Sequence, residues 1–324
     1  MKKAISILIL SSYAVAAVAS YAQRPEVEAF VRELAQRHGI AEAELQDVFA
    51  KAQRLEPVLE AIARPAERVK TWEEYRALLV TERRVAEGLE FWKKYRKTLE
   101  RAERRYGVPP QYVVGIIGVE TSYGRNIGNW RVVDALTTLA FDYPPRAGFF
   151  RSELESYLLM AREAKIDVFS VRGSYAGAIG IPQFMPSSAR RYAVDFDGNG
   201  RIDLQKSRSD SIGSVANFLK VHGWQRDADV LLEARVSGEA WRGFVSGRFE
   251  PKYSMSELRE AGIEFDSPSP ADASGVLVEL ANTAERPSEF RIGLKNFYVI
   301  TRYNRSVLYA SAVVDLAQEI KQRR

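Results

Sequence analysis

The sequence contains no cysteine and only two histidines, His38 and His222. The first absence excludes disulfides, thiolate metal ligands, a cysteine nucleophile and a lipid-acceptor cysteine. The second excludes a multi-histidine zinc site. An excess of one charge is missing too: 47 Lys and Arg face 42 Asp and Glu, a formal +5 that is too mild to indicate a nucleic-acid partner. Basic residues form a one-sided cluster only at Lys321 to Arg324. What remains is a 324-residue chain, 46% apolar and 27% charged, which suits one large core or two to three smaller ones.

Long apolar runs are absent beyond the N-terminus. There, Lys2 and Lys3 precede an apolar stretch, Ala4 to Leu10, that resumes through Tyr13 to Ala19 and ends in small residues around Tyr21. This is the layout of a secretory leader, residues 1–22, with cleavage expected after Ala22 and Ala19 as the alternative. A membrane anchor fits less well, because the run is short and broken by Ser11 and Ser12. Loss of residues 1–22 removes two lysines and no acid, leaving a net +3. The expectation is an exported periplasmic protein without a membrane anchor.

From Pro25 to about Arg105 the chain reads as charged amphipathic helices, with Val27, Phe30, Val31 and Leu34 at helical spacing. Between Tyr106 and Trp224 glycine, proline and apolar runs increase. Beyond Asp227 the periodicity shortens towards two in Val230 to Val236, Gly275 to Leu280 and Phe290 to Leu294, which predicts short strands. Ser306 opens a last helix with Leu308, Ala312, Val313 and Leu316 on one face. The expected class is mainly α (α+β), with a small late β region.

Between Arg105 and Arg125 there is one charged residue, Glu120. Pro109 and Pro110 suit a first helical turn and Gly124 suits a stop. Within that helix Val113, Ile116, Ile117 and Glu120 fall at i, i+3, i+4 and i+7, so the carboxylate shares a face with three aliphatic residues. Burial of an unpartnered carboxylate raises its pKa, and a proton held near neutral pH is what a general acid needs. A buried structural glutamate satisfied by an arginine or by backbone donors accounts for the same pattern.

The segment Gly173 to Ser188 carries no charge, and its small residues lead into Gln183, Phe184 and Met185. It lacks the spacing of a phosphate loop. Such a segment can line a cleft with amide and aromatic groups for a sugar, or serve close helix packing. Next comes Asp195-Phe-Asp-Gly-Asn-Gly200, which matches positions 1, 3, 5 and 6 of a calcium loop through Asp195, Asp197, Asn199 and Gly200. Arg201 offers a backbone carbonyl. Position 12 is Lys206, which cannot give the closing carboxylate; Asp210 can do so if the loop is longer than usual. The expectation is a structural Ca2+ site, with sodium as a substitute, against a turn that binds nothing.

Gly118 to Gly124, Gly177 to Ser188, Asp195 to Gly200 with Ile212 to Asn217 and His222 to Trp224, and Val299 to Ser306 together resemble the lytic murein transglycosylase B family, in the family's order. The resemblance implies a goose-type lysozyme-like catalytic core over 106–225, a helical domain over 23–105, a small β domain over 226–300, and a C-terminal helix, 301–324, packed on the helical domain. It implies peptidoglycan glycan strands as partner and cleavage of the β-1,4 bond between N-acetylmuramic acid and N-acetylglucosamine, with no organic cofactor. Glu120 matches the catalytic glutamate. Ser174, Gln183, Phe184, Met185, Tyr303, Asn304 and Tyr309 match cleft positions, as do Tyr75 and Arg146 less closely. Phe149 and Phe218 stand where the family often carries tyrosines. The family's extended metal loop supports Asp210 over Lys206.

Most glycosidases use two carboxylates. Near Glu120 the sequence offers Asp134 and Asp142, neither in a nucleophile-like pattern. The expectation is that Glu120 acts first as acid and then as base. The substrate's N-acetyl group stabilises the developing charge, and the muramic 6-hydroxyl closes a 1,6-anhydro end in place of water. A lysozyme-type hydrolase and a non-catalytic peptidoglycan-binding protein are the alternatives.

Overall fold

The computed structural model describes residues 20–63, 70–245, 249–268, 270–283 and 285–324. The expected leader lies outside these residues except for its last positions. The chain forms two compact units that divide between Gln53 and Arg54, inside the stretch 23–105 expected to be one helical domain.

The first unit holds a short turn, Tyr21–Gln23, then α1 (Pro25–His38) and α2 (Glu42–Lys51). Pro25 fits the first turn of α1, where no intrahelical N–H partner is needed, and Gly39 ends it in the left-handed region at φ 64°. Val27, Phe30, Val31 and Leu34 form its buried stripe, as their spacing predicts. Phe30 meets Phe49 of α2 edge to face at 6.1 Å. Tyr21 is only 3% exposed and the Arg24 guanidinium lies over its ring, so the chain from Tyr21 onward belongs to this small core.

The second unit continues with α3 (Glu56–Ala63), α4 (Trp72–Leu79), α5 (Glu82–Lys94), α6 (Arg96–Tyr106) and α7 (Pro110–Thr121). Thr71 and Glu74 form a reciprocal capping box at the start of α4. A two-stranded ribbon pairs β1 (Trp130–Arg131) with β2 (Arg172–Gly173); between them run α8 (Val132–Asp142) and α9 (Ala147–Glu163). Then come α10 (Pro186–Tyr192) and α11 (Arg208–Val221).

The late β region is a five-stranded antiparallel sheet in the order β4 (Tyr253–Ser254), β6 (Ser274–Leu280), β7 (Glu289–Gly293), β3 (Leu231–Val236), β5 (Ile263–Phe265). The three expected strands are β3, β6 and β7. Strands β4 and β5 and the helix between them, α12 (Met255–Glu260), are too short for a periodicity to show. Opposite residues Leu277 and Ile292 join Met255, Leu258 and Trp241 in a separate small core.

The chain closes with α13 (Lys295–Thr301) and α14 (Val307–Gln322). Ser306 caps α14 by accepting from the Tyr309 N–H. The helix is buried on nearly every side, well beyond the predicted single face, because α4, α5, α7, α13 and β6 all pack around it. The result is a mostly helical protein with a small antiparallel sheet.

Candidate active site

Helix α7 places Glu120 one residue before its end, and Val113, Ile116 and Ile117 are buried on its face. The helix stops earlier than glycine alone requires. Ser122 and Tyr123 already adopt left-handed φ values of 47° and 63°, an uncommon and strained state for side-chain-bearing residues, before Gly124 at 85°. Two observations show what holds that turn. Thr121 Oγ1 donates to the Ile181 carbonyl and accepts from the Gly124 N–H, and the Tyr123 hydroxyl donates to the Arg84 carbonyl.

Three tyrosines from distant segments gather at Glu120. Tyr309 of α14 donates its hydroxyl to Glu120 Oε1 at 2.5 Å. Tyr303, just past α13, and Tyr75 of α4 both lie within electrostatic reach of the carboxylate. Burial pushes the Glu120 carboxyl up to about 7, and the Tyr309 hydrogen bond opposes part of that rise. Burial first, and then the Glu120 charge, raises the Tyr75, Tyr303 and Tyr309 phenols, so all three remain neutral donors. Glu120 keeps partial solvent access, as a group that must meet substrate requires.

Neither nearby aspartate is available as a second carboxylate. Asp134 is buried and ion-paired to Arg131 at 2.5 Å, and Asp142 faces Arg54 at 3.5 Å.

The uncharged segment forms one wall. Tyr303 donates to the Pro182 carbonyl at 2.5 Å, and its ring packs 5.7 Å from Phe184. Phe218 and His222 extend this aromatic stack, with Phe218 4.8 Å from Tyr303 and 4.0 Å from His222. Phe218 is buried within this stack. Gln183, at φ 51°, donates from its amide to the Ile127 and Gly180 carbonyls. Gly180 lies at φ 67° against the Leu204 backbone, where a Cβ would collide. Ser174 accepts from the Ala178 N–H and thereby closes the loop that carries the segment. Met185 immediately precedes α10 without a side-chain cap, and Asn304 is exposed beside Tyr303. The Arg146 guanidinium lies over the Phe149 and Phe150 rings.

The acidic loop brings Asp195, Asp197 and Asp210 together, with carboxylate oxygens within 4.8 Å of one another. Asp210 is fully buried in the first turn of α11 and accepts from the Phe196, Asp197 and Asp203 N–H groups. Backbone donors from Gly200, Gly198 and Asn199 hold the Asp195 carboxyl below its ordinary range. Asn199 Oδ1 accepts from the Arg201 N–H. Three hard-oxygen carboxylate donors this close fit a divalent cation of the calcium type. Sequence reading missed Ser207, which caps α11 and donates to Asp197; a serine three residues before Asp210 was the available signal.

Residues 22–318 match the family model described as the transglycosylase SLT domain. The chain is 42% identical over 309 residues to membrane-bound lytic murein transglycosylase B of Escherichia coli (strain K12), covering 93% of this chain and 84% of the relative. The solved soluble lytic transglycosylase SltB1 of Pseudomonas aeruginosa is 47% identical, with a TM-score of 0.87 over 93% of this chain and 99% of that one. The Escherichia coli lytic transglycosylase Slt35, solved in complex with calcium, is 41% identical, with a TM-score of 0.84 over 94% and 95%.

Proposed function

This chain belongs to the lytic murein transglycosylase B family, enzymes that act on peptidoglycan, and we propose that Glu120 alone carries its acid and base steps. The observation that carries this reading is the isolated carboxyl itself. It is raised to about 7 by burial, is hydrogen-bonded to Tyr309, and among the described residues the two nearby aspartates, Asp134 and Asp142, are held by arginines.

Protonated Glu120 donates to the glycosidic oxygen between the muramic and glucosamine rings. The muramic N-acetyl group stabilises the charge that develops at the anomeric carbon. The Glu120 carboxylate then removes the proton of the muramic 6-hydroxyl, which attacks that carbon and leaves a 1,6-anhydro end. Intramolecular attack outruns water because the nucleophile is already tethered. Tyr309 orients the carboxyl, and Tyr75 and Tyr303 stay neutral beside it. Ser174, Gln183, Phe184, Met185, Asn304 and Arg146 complete the glycan-binding surface.

Asp195, Asp197, Asn199, the Arg201 carbonyl and Asp210 would hold a calcium ion, with sodium as the substitute, and the bound metal would brace the loop against α11. The protein is exported to the periplasm, and the burial of Tyr21 favours leader cleavage after Ala19 over Ala22, since the latter would remove a core side chain. No helix among the described residues is long and apolar enough to cross a membrane.

Mass spectrometry of a purified peptidoglycan digest tests the reaction. Anhydromuramic ends that vanish with Glu120→Gln are expected; reducing muramic ends would make the enzyme a hydrolase, and undiminished lysis by the variant would remove Glu120 from the chemistry.

A further inference from the structure

The left-handed turn that follows Glu120 forms one side of a cavity of about 330 Å3, where Arg83, Arg84 and Arg125 surround Glu87 beside Ser122 and Asn126. Arg83 donates to Glu87 at 2.9 Å, and Arg125 shares the same carboxylate. Among the described residues Arg84 has no carboxylate partner; its Nη1 is fixed by the Leu78 and Leu79 carbonyls at 2.9 and 2.6 Å. Three guanidiniums therefore face one acid, an excess of two positive charges. The next acid along, Glu82, is bound to Arg323. Arg83 is 80% and Arg125 47% exposed in their side chains, so both can reach a ligand.

The cavity adjoins the catalytic carboxyl through two elements. Ser122 is two residues beyond Glu120 in the chain. On the other side, α4 carries Tyr75 near Glu120, then at i+3 Leu78, an apolar residue 55% exposed, whose carbonyl holds Arg84. An extended peptide covers about 3.3 Å per residue, so a few residues suffice to link the two places. Guanidiniums bind carboxylates through paired, charge-assisted hydrogen bonds and stay protonated at any working pH.

We propose that this arginine-lined cavity receives a carboxylate of the peptide carried by the glycan strand, so that the enzyme prefers peptide-bearing to peptide-stripped strands. This rests on the transglycosylase reading above. The test compares kcat/KM for both strand types in the intact enzyme and in the Arg83→Gln, Arg125→Gln double variant, with circular dichroism to verify folding. A preference of about tenfold, the scale of one charge-assisted hydrogen bond, is expected to collapse towards one in the double variant. Equal turnover of both strands by the intact enzyme, or a preference the double variant retains, would overturn the proposal. So would a preference for stripped strands, which would assign the carboxylate to the lactyl group freed by stripping. A second arm uses Glu120→Gln and calorimetric binding of a muropeptide with free or amidated peptide carboxylates. Loss of affinity on amidation supports the cavity, and equal affinity refutes it. Absence of anhydro products from both strand types sinks the transglycosylase reading instead, and leaves the binding arm to judge the cavity.

Discussion

The Tyr309 hydroxyl reaches Glu120 Oε1 at 2.5 Å across 189 positions of sequence, joining the end of α7 to the start of α14. This bond opposes the burial that raises the carboxyl to about 7. It therefore tunes the acid, as well as aiming it.

Tyr309→Phe removes the opposing contribution, so the Glu120 pKa is expected to rise further. The alkaline limb of the pH–rate profile should move to higher pH while the rate at its optimum falls by about tenfold to a hundredfold, the worth of a hydrogen bond to a charged group. A limb that moves to lower pH would contradict the direction of the coupling.

Glu120→Gln should lower turnover by about 10²-fold or more, since it removes both proton transfers. Its stability should change with pH in one direction. The folded carboxyl titrates near 7 against an ordinary value of 4.5, so the native state binds more protons between those values and loses stability as pH rises through that window. The wild type should lose up to about 3 kcal/mol from pH 4.5 to 8 on this account, and the variant should be spared that loss. Paired thermal melts across the range provide the measurement.

Calcium should raise the melting temperature of the wild type, by the equivalent of about 2.7 kcal/mol at a hundredfold excess over Kd. Asp195→Asn should abolish most of that gain while changing the metal-free melt little, because its exposed loop bonds are local. Asp210→Ala should lower even the metal-free melt, since three backbone N–H groups lose their acceptor.

Asp315→Ala should cost about 3–5 kcal/mol of stability, measured by urea unfolding. The Asp315 carboxylate on α14 accepts from Arg76 of α4 at 2.7 Å and from buried Arg291 of β7 at 2.6 Å. Its loss leaves Arg291 inside the protein without its main partner.

The sequence made Glu120, the strands β3, β6 and β7 and the acidic loop legible because each rests on local spacing. A lone charge on an apolar helix face, alternation over five to seven residues and Asp/Asn/Gly at fixed offsets all show within one short window. The tyrosine ring around Glu120 was legible only through family likeness. Tyr75, Tyr303 and Tyr309 are scattered over the chain, and nothing local distinguishes them from core tyrosines. The Ser122–Tyr123 turn was hidden for a different reason. Composition favours Gly124 as the stop, but the contacts of Thr121 and Tyr123 force the left-handed conformation two residues earlier. Arg291 and Asp315 gave no signal at all, since buried ion pairs are set by tertiary packing.

Glu120 also stands in the last turn of a twelve-residue helix, whose aligned peptide dipoles place partial negative charge at that end. A helix terminus that would welcome a lysine here repels an ionised carboxylate. Unlike solvent exclusion, this field does not depend on whether the cleft is open or filled. The backbone thus favours the loaded acid before a glycan arrives, and again as the carboxylate takes the proton of the 6-hydroxyl.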